Sequence, residues 1–341
     1  MSKEKVKVLA ADKISAFIDR LSQDWTVLGP TGNEKGDFSY SEIKGTDGFE
    51  LEKGPVKVSP KDLLIPQSGC LLEEENGSYQ KAYQQLEPRV IFGMRPCDVK
   101  AVFILDQLMK KDFVDEFYWS FRENTYLVSF ACAEPGEHCF CTSMGGSPFS
   151  ERDFDLELVE IEGGKYILRT GSKKGEELAA AVDALLEEMT LDQQEVLQDL
   201  KDNFDARMKN NYDAERAGEA LRQNNISNEF WQKWVNACME CGSCSFACPT
   251  CYCFNSVDRK NTDNKSERLR TWDSCVLRGY TRMAGGENPV DEIGSKNRFM
   301  THKLVETKDF LDEYGCVGCG RCSEVCYVNN SMADFLQLVE E

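Results

Sequence analysis

Cysteine is the residue type with the most chemistry to offer in this chain, and its spacing is regular. Cys238, Cys241, Cys244 and Cys248 form a C-x2-C-x2-C-x3-C run, and Cys316, Cys319, Cys322 and Cys326 repeat it. A cuboidal iron–sulfur cluster needs four thiolates converging on tetrahedral iron corners. Three cysteines two residues apart wrap one side of such a cube, while the fourth, displaced along a helix, points away and ligates the neighbouring cluster. The runs therefore predict two cross-tied 4Fe–4S clusters. Cys238, Cys241, Cys244 and Cys326 would hold one, and Cys316, Cys319, Cys322 and Cys248 the other. Zinc ribbons also use C-x2-C pairs, but a zinc site takes two pairs and leaves the third and fourth cysteine of each run unexplained.

A second constellation lies upstream. Cys97 follows an apolar stretch, Arg89–Met94, and Cys132 follows another, Thr125–Phe130. The loop after the second carries Cys139 and Cys141. If the two stretches are parallel strands, their carboxyl ends share one edge of the sheet, where α/β folds place their sites. Four thiols there can hold a third iron–sulfur cluster, with Arg95 and His138 as donors to its sulfides. The alternative is that Cys97 and Cys132 are buried small residues and the Cys-Phe-Cys pair is incidental. Cys251 and Cys253 read as free thiols packed near the first run, Cys275 as structural, and Cys70 as a core or strand residue. Cys244-x3-Cys248-x2-Cys251 fits the bare pattern of radical S-adenosylmethionine enzymes. However, Thr250 stands where those carry an aromatic, and too little chain follows for a barrel.

Composition narrows the function classes. The chain has 341 residues, room for two domains, each with its own core. The net charge of −19 leaves no basic excess for nucleic acid and suits docking on basic redox partners. Two histidines give histidine-based catalysis almost no material. No stretch reaches the roughly 20 apolar residues of a membrane span, and no signal core follows Met1. The expectation is a cytoplasmic protein, where sixteen cysteines are ligands or free thiols rather than disulfides.

The elements that must position these residues follow from periodicity. Ile14, Phe17, Ile18 and Leu21 recur at helical spacing, with Gly29-Pro30 expected to close that region. Residues 31–66 read as loops with small strands at Phe49–Leu51 and Val56–Val58 and a short helix at Pro60–Pro66. Arg89–Met94, a helix bearing Val102, Leu105 and Leu108, and Thr125–Phe130 make a βαβ unit. Leu156–Ile161 and Tyr166–Leu168 flank a Gly163-Gly164 hairpin turn. Residues 175–236 are polar and helical. The predicted architecture is an α/β domain with a parallel βαβ core over residues 1–215, bearing the third site. A mainly α-helical two-cluster ferredoxin domain follows over residues 216–341. The long interval between the two runs favours the helical ferredoxin domains of fumarate-reductase-type subunits over the compact bacterial ferredoxin fold.

No phosphate-cradling glycine motif follows a strand, so nicotinamide or flavin binding is not expected here. Taken in order, Gly93-Met-Arg-Pro-Cys97-Asp98, Cys139-Phe-Cys141-x-Ser-Met-Gly145, Pro249-Thr-Cys251-Tyr-Cys253, Trp272-Asp-Ser-Cys275, Ala284-Gly-Gly286, His302-Lys303 and Cys316-Val-Gly-Cys319-Gly-Arg-Cys322 carry a resemblance. From about residue 10 onward the chain resembles the family of sulfhydrogenase β subunits and the corresponding iron–sulfur subunits of anaerobic sulfite reductases. That family also includes iron–sulfur partners of flavin oxidoreductases that feed heterodisulfide reductase. The resemblance implies an electron-transfer subunit without catalytic residues of its own. Electrons would pass between a flavin- and NAD(P)-binding reductase subunit and a hydrogenase, sulfite reductase or heterodisulfide reductase subunit. It also favours the third cluster at Cys97, Cys132, Cys139 and Cys141. Tyr327 departs from the family's Cys-Pro ending, while His302 and Trp272 match family positions without a derived role. The rival reading is a stand-alone iron–sulfur reductase binding a small substrate near Cys97.

Overall fold

The structure, a computed structural model, describes residues 5–340 apart from 33–37, 48, 50–54 and 205–206. Twelve strands are described: β1 (Lys5–Ala10), β2 (Thr26–Gly32), β3 (Phe38–Glu42), β4 (Ser68–Glu75), β5 (Ser78–Lys81), β6 (Arg89–Met94), β7 (Thr125–Phe130), β8 (Leu156–Ile161), β9 (Lys165–Thr170), β10 (Leu186–Glu188), β11 (Phe254–Thr262) and β12 (Lys265–Trp272). Eight form one sheet in the order β10-β1-β9-β8-β7-β6-β2-β3, and four form a second, β11-β12-β4-β5.

The centre of the large sheet is parallel: β2, β6, β7 and β8 run alongside one another. Such strands are covered on both faces, which explains their nearly unbroken apolar runs. Val90, Phe92, Val128 and Phe130 pack with Phe17, Ile18 and Leu21 of helix α1 (Ile14–Leu21) on one face. Ile91, Met94 and Leu127 pack on the other face with Val99, Val102 and Leu105 of helix α2 (Pro96–Leu108) and with Tyr118 of α3 (Glu116–Arg122). α2 and α3 connect β6 to β7. The expected Gly163-Gly164 hairpin joins β8 to β9. Beyond it, α4 (Lys173–Ala181) adds Leu178 to the first face, and α5 (Leu191–Asp202) lays Leu197 and Leu200 against Val159 and Ile167.

The structure departs from the sequence reading in places. Gly29 and Pro30 lie inside β2 rather than ending a helical region. Pairing of β2 with β6 stops at Leu28, so the missing N–H of Pro30 costs no bond on that side. Phe49 forms a single bridge to Thr31, and residues 50–51 of its expected strand lie outside the described residues. Val56–Val58 is not strand, and the short helix at Pro60 ends at Leu63. Within the polar segment, Leu186–Glu188 adds an edge strand to β1. The interval between the cysteine runs is not helical throughout, because β11 and β12 form a long antiparallel hairpin in it. β12 pairs in turn with β4, so residues from both halves of the sequence share one sheet. β11 is exposed along its length, and such a strand offers no half-buried alternation to read.

The cysteine-bearing C-terminal part packs α6 (Ala214–Arg222), α7 (Asn228–Ala237), α9 (Glu292–Thr301) and α12 (Met332–Glu340) around Trp231, Trp234, Phe299, Met300 and Phe335. Three short helices complete it: α8 (Ser243–Phe246), α10 (Thr307–Leu311) and α11 (Arg321–Glu324), of which α8 carries Cys244 and α11 carries Cys322. Phe140 and Met144, from the cysteine-rich loop after β7, insert into that same core. No helix among the described residues is long and apolar enough to cross a membrane.

A fully buried ion pair helps tie the two parts together. Asp98, at the third position of α2, is 1% exposed and Arg321 is 1% exposed. The guanidinium donates to Asp98 Oδ1 at 2.7 Å and Oδ2 at 3.1 Å, and its Nε donates to the Val56 carbonyl at 2.7 Å. Removing one member of such a pair strands a charge in the interior, at a cost of about 3–5 kcal/mol. Asp98→Ala should therefore lower the thermal unfolding midpoint clearly, while Asp98→Leu with Arg321→Met should recover much of the loss. An unchanged midpoint in Asp98→Ala would show that the pair is not a clamp. Gly320 offers a second check. Its φ is +76°, and an added Cβ would lie 2.4 Å from the His138 carbonyl oxygen. Gly320→Ala should cost about 1–3 kcal/mol, read by the same melt, through left-handed strain and the forced retreat of the loop.

Candidate metal centres

The twelve cysteines expected as ligands lie in three neighbourhoods, each drawing on separate stretches of the chain. The first set lines one cavity: Cys238, Cys241, Cys244 and Cys326 face it together with Trp234, Phe299, Met300 and Lys296. Cys238 caps α7, and a tight turn through Glu240 (φ +53°) and Gly242 (φ +75°) brings Cys241 and Cys244 round beside it. Cys326 arrives from the second run, just past α11. Backbone N–H groups point at the sulfurs, Glu240 N at 3.4 Å from Cys238 Sγ and Asn330 N at 3.2 Å from Cys326 Sγ. Hydrogen bonding from Ser243 holds the Cys241 thiol below its usual range, and burial pushes Cys244 up to about 11.

The second set is Cys316, Cys319 and Cys322 with Cys248 from the first run. Burial raises Cys322 well above the ordinary thiol range, and Cys316, Cys319 and Cys248 add to that through their proximity. Cys316 is pushed up to about 12 by burial and then by Cys248. Gly318 N donates to Cys316 Sγ at 3.4 Å.

The third set lies at the carboxyl edge of the parallel strands. Gly93, at φ +84°, makes an irregularity in the pairing of β6 with β7 and turns the chain toward Arg95-Pro96-Cys97. Pro96 opens α2, where its missing N–H is harmless, and Cys97 sits in the first turn. Cys132 follows β7 and is fixed by its N–H to the Pro148 carbonyl, 2.9 Å. Burial pushes Cys132, Cys139 and Cys141 up to about 12, and each also feels a sulfur of the same set. Arg95 donates to the Phe130 and Ala131 carbonyls, fixing the strand end that carries Cys132. The His138 carbonyl meets the second run, packed against Gly320.

The second and third sets adjoin. Phe140 N donates to the Gly318 carbonyl at 2.8 Å, and Cys139 Sγ lies 3.8 Å from the Cys319 carbonyl oxygen. A side chain at Gly318 would strike the Phe140 carbonyl at 2.5 Å and Cys141 Cα at 2.6 Å. The bare glycine edge is what lets the two thiol groups approach.

Three cysteines given no ligand role also meet other thiols. Cys251 hydrogen-bonds Cys248 and draws it well below the thiol range. A hydrogen bond from Cys275, joined by one from Tyr280 against the cost of burial, brings Cys253 down to about 6. Cys70 sits in β4, half-buried. Trp272 donates Nε1–H to the Ile65 carbonyl at 2.9 Å, and Lys61 lies 4.0 Å over its ring. His302 faces Glu306 at 3.2 Å and packs against Tyr252. Sequence reasoning passed over Lys61 and Lys303, two buried lysines beside Cys248. Lys303 was visible only as half of the His302-Lys303 pair, because an isolated lysine carries no signal of burial.

The donor chemistry suits iron–sulfur clusters. Thiols this deep resist ionising alone, and a buried thiolate is tolerated when a metal supplies the opposing charge. Each run also turns through positive-φ glycines whose neighbouring N–H groups reach sulfur. Comparison with known proteins agrees. Residues 237–330 match the family model of the 4Fe-4S dicluster domain. Over 323 residues, 93% of each chain, the sequence is 26% identical to sulfhydrogenase 2 subunit beta of Pyrococcus furiosus. The chain thus carries a 4Fe-4S dicluster domain and, along nearly its whole length, is similar to a sulfhydrogenase β subunit.

Proposed function

We propose that this protein is the iron–sulfur electron-transfer subunit of a cytoplasmic anaerobic oxidoreductase complex. The observation that carries the reading is the cross-tie: Cys326 lines a cavity with the first run, while Cys248 lies with the second. Interchange of the fourth cysteine is the arrangement of two-cluster ferredoxins. We assign Cys238, Cys241, Cys244 and Cys326 to one 4Fe–4S cluster and Cys316, Cys319, Cys322 and Cys248 to the next. Cys97, Cys132, Cys139 and Cys141 hold a third. Clusters of this kind take up and release single electrons without breaking covalent bonds.

The protein's own work is to hold, bury and space the thiols. The glycine edge at Gly318 and Gly320 brings the third set against the second. The first set reaches the surface, where Cys241 is exposed and Tyr327 is 92% exposed. The order along the wire is therefore third set, second set, first set. The α/β part (1–215) carries the third set and the mainly helical two-cluster domain (216–341) the other two. Similarity to a sulfhydrogenase subunit supports assembly with other subunits. The partners we infer are a flavin- and NAD(P)-binding reductase subunit, and a hydrogenase, sulfite reductase or heterodisulfide reductase subunit.

A stand-alone reductase is favoured by one feature, a cavity flanked by Cys97, Cys141, Lys100, Arg152 and Glu313. Turnover of a small substrate by the isolated chain with a chemical reductant would establish it; a wire is inert without partners. For the principal reading, anaerobically purified protein should contain about twelve irons per chain. Cys241→Ala should lose about four of them together with one set of reduced-state spectral signals, and Cys132→Ala a different four. Full iron content with unchanged spectra in both variants would remove the ligand assignment.

A further inference from the structure

Each thiol set has a buried cation nearby, but the cations differ in what balances them. At the first set, Lys296 is 3% exposed and pairs with Glu240 at 3.1 Å. Arg321, between the second and third sets, is bound by Asp98. Cys97 and Cys132 of the third set also lie close to carboxylates, Asp98 and Glu157 respectively. The second set is different. Lys303 is 3% exposed, and its Nζ donates to Thr250 Oγ1 at 2.7 Å and to the Gly315 carbonyl at 2.9 Å, both neutral. Thr250 Oγ1 lies 3.3 Å from Cys248 Sγ, and Gly315 immediately precedes Cys316. Lys61, 4% exposed, donates to the Ser245 and Phe246 carbonyls at 3.4 and 3.3 Å. Among the described residues neither ammonium forms an ion pair.

The backbone is shaped for this placement. Residues His302–Glu306 form a π-helical turn between α9 and α10. Such turns occur mostly inside α-helices, frequently at functional sites. The Lys303 carbonyl accepts from Gly315 N at 2.7 Å, and Thr307 Oγ1 donates to the His302 carbonyl at 2.7 Å. A side chain at Gly315 would meet Thr307 Oγ1 at 2.7 Å and Lys303 Cα at 3.1 Å. The widened turn thus sits directly on the start of the second run.

We propose that Lys303, assisted by Lys61, is the residue that sets the potential of the Cys248, Cys316, Cys319 and Cys322 centre and makes it the most easily reduced of the three. This rests on the ligand assignment above. Reduction adds one negative charge to a cluster, and a fixed buried cation with no carboxylate partner favours that state. The Thr250 hydroxyl extends the effect: Lys303 donates to its oxygen, which leaves its hydrogen for the Gly315 carbonyl or the Cys248 sulfur. The middle centre then serves as the electron store between the two ends.

The test is a mediated redox titration of the full chain followed by electron paramagnetic resonance, with iron counted in each sample. The highest-potential signal of the wild type should vanish in Cys316→Ala. Its survival there would break the ligand assignment rather than the role of Lys303. Lys303→Met, at full iron content, should shift that one equilibrium toward oxidised by tenfold or more, equivalent to 59 mV. The other signals should stay in place, and Lys303→Arg should stay near wild type. Lys61→Met should move the same signal the same way by less, and it remains readable if Lys303→Met does not load iron. The proposal is overturned by an unmoved potential in Lys303→Met, or in Lys61→Met where that is the only readable variant. It is equally overturned if Lys303→Arg shifts as far as Lys303→Met.

Discussion

Arg321 and Asp98 stand 223 positions apart in sequence and meet where neither has water. Asp98 is an early residue of α2, one place after Cys97; Arg321 lies between Cys319 and Cys322. The pair therefore fixes the geometry of two thiol sets at once. Its fork geometry suits the task, since a bidentate guanidinium specifies orientation as well as distance, which an ammonium would not. Around the pair, Ala101 and Ile104 of α2 pack on Val317, and the 139–141 loop closes over Gly318 and Gly320. A charge pair this deep is a poor source of net stability. Its value here is specificity of docking between the sheet edge and the second cysteine run.

The same economy of charge extends over the whole row of thiols. Clusters held by these thiols would be net anionic, and the protein places cations beside the thiol sets at different degrees of compensation. Lys296 is matched by Glu240, and Arg321 by Asp98. Among the described residues, the hydrogen bonds of Lys303 and Lys61 go to carbonyls and a hydroxyl, and Lys61 also lies over an indole ring. Burial alone would lower the affinity of Lys303 for its proton. The sulfurs of Cys248, Cys251, Cys316 and Cys275 outweigh that and hold the ammonium above its usual range. A surface charge of either sign would do little here, because water screens it.

The elements with strong local signals were legible in the sequence. α1 over Ile14–Leu21, β6, β7 and the Gly163-Gly164 hairpin all lie where periodicity and turn residues place them. What was not legible depends on pairing between distant segments. β11 and β12 show little apolar alternation, and they are strands because they pair with each other and β12 pairs in turn with β4. β2 continues through Gly29-Pro30 because its pairing with β6 ends at Leu28 while β3 still pairs on the other side. In both places tertiary pairing overrode a local preference.

The cysteine spacing by itself determined the kind of chemistry, since three thiols two residues apart and a fourth beyond form a pattern few other ligands use. It also implied that the runs exchange a cysteine. Only the tertiary structure decided which groups lie next to which: that the Cys139–Cys141 loop rests on the glycines of the second run, that Cys251 meets Cys248 while Cys253 meets Cys275, and that two lysines are buried beside Cys248. The reason is physical. Ligand spacing is a local property carried by neighbours in the chain, whereas burial, charge compensation and the approach of two backbones arise only once remote segments share an interior.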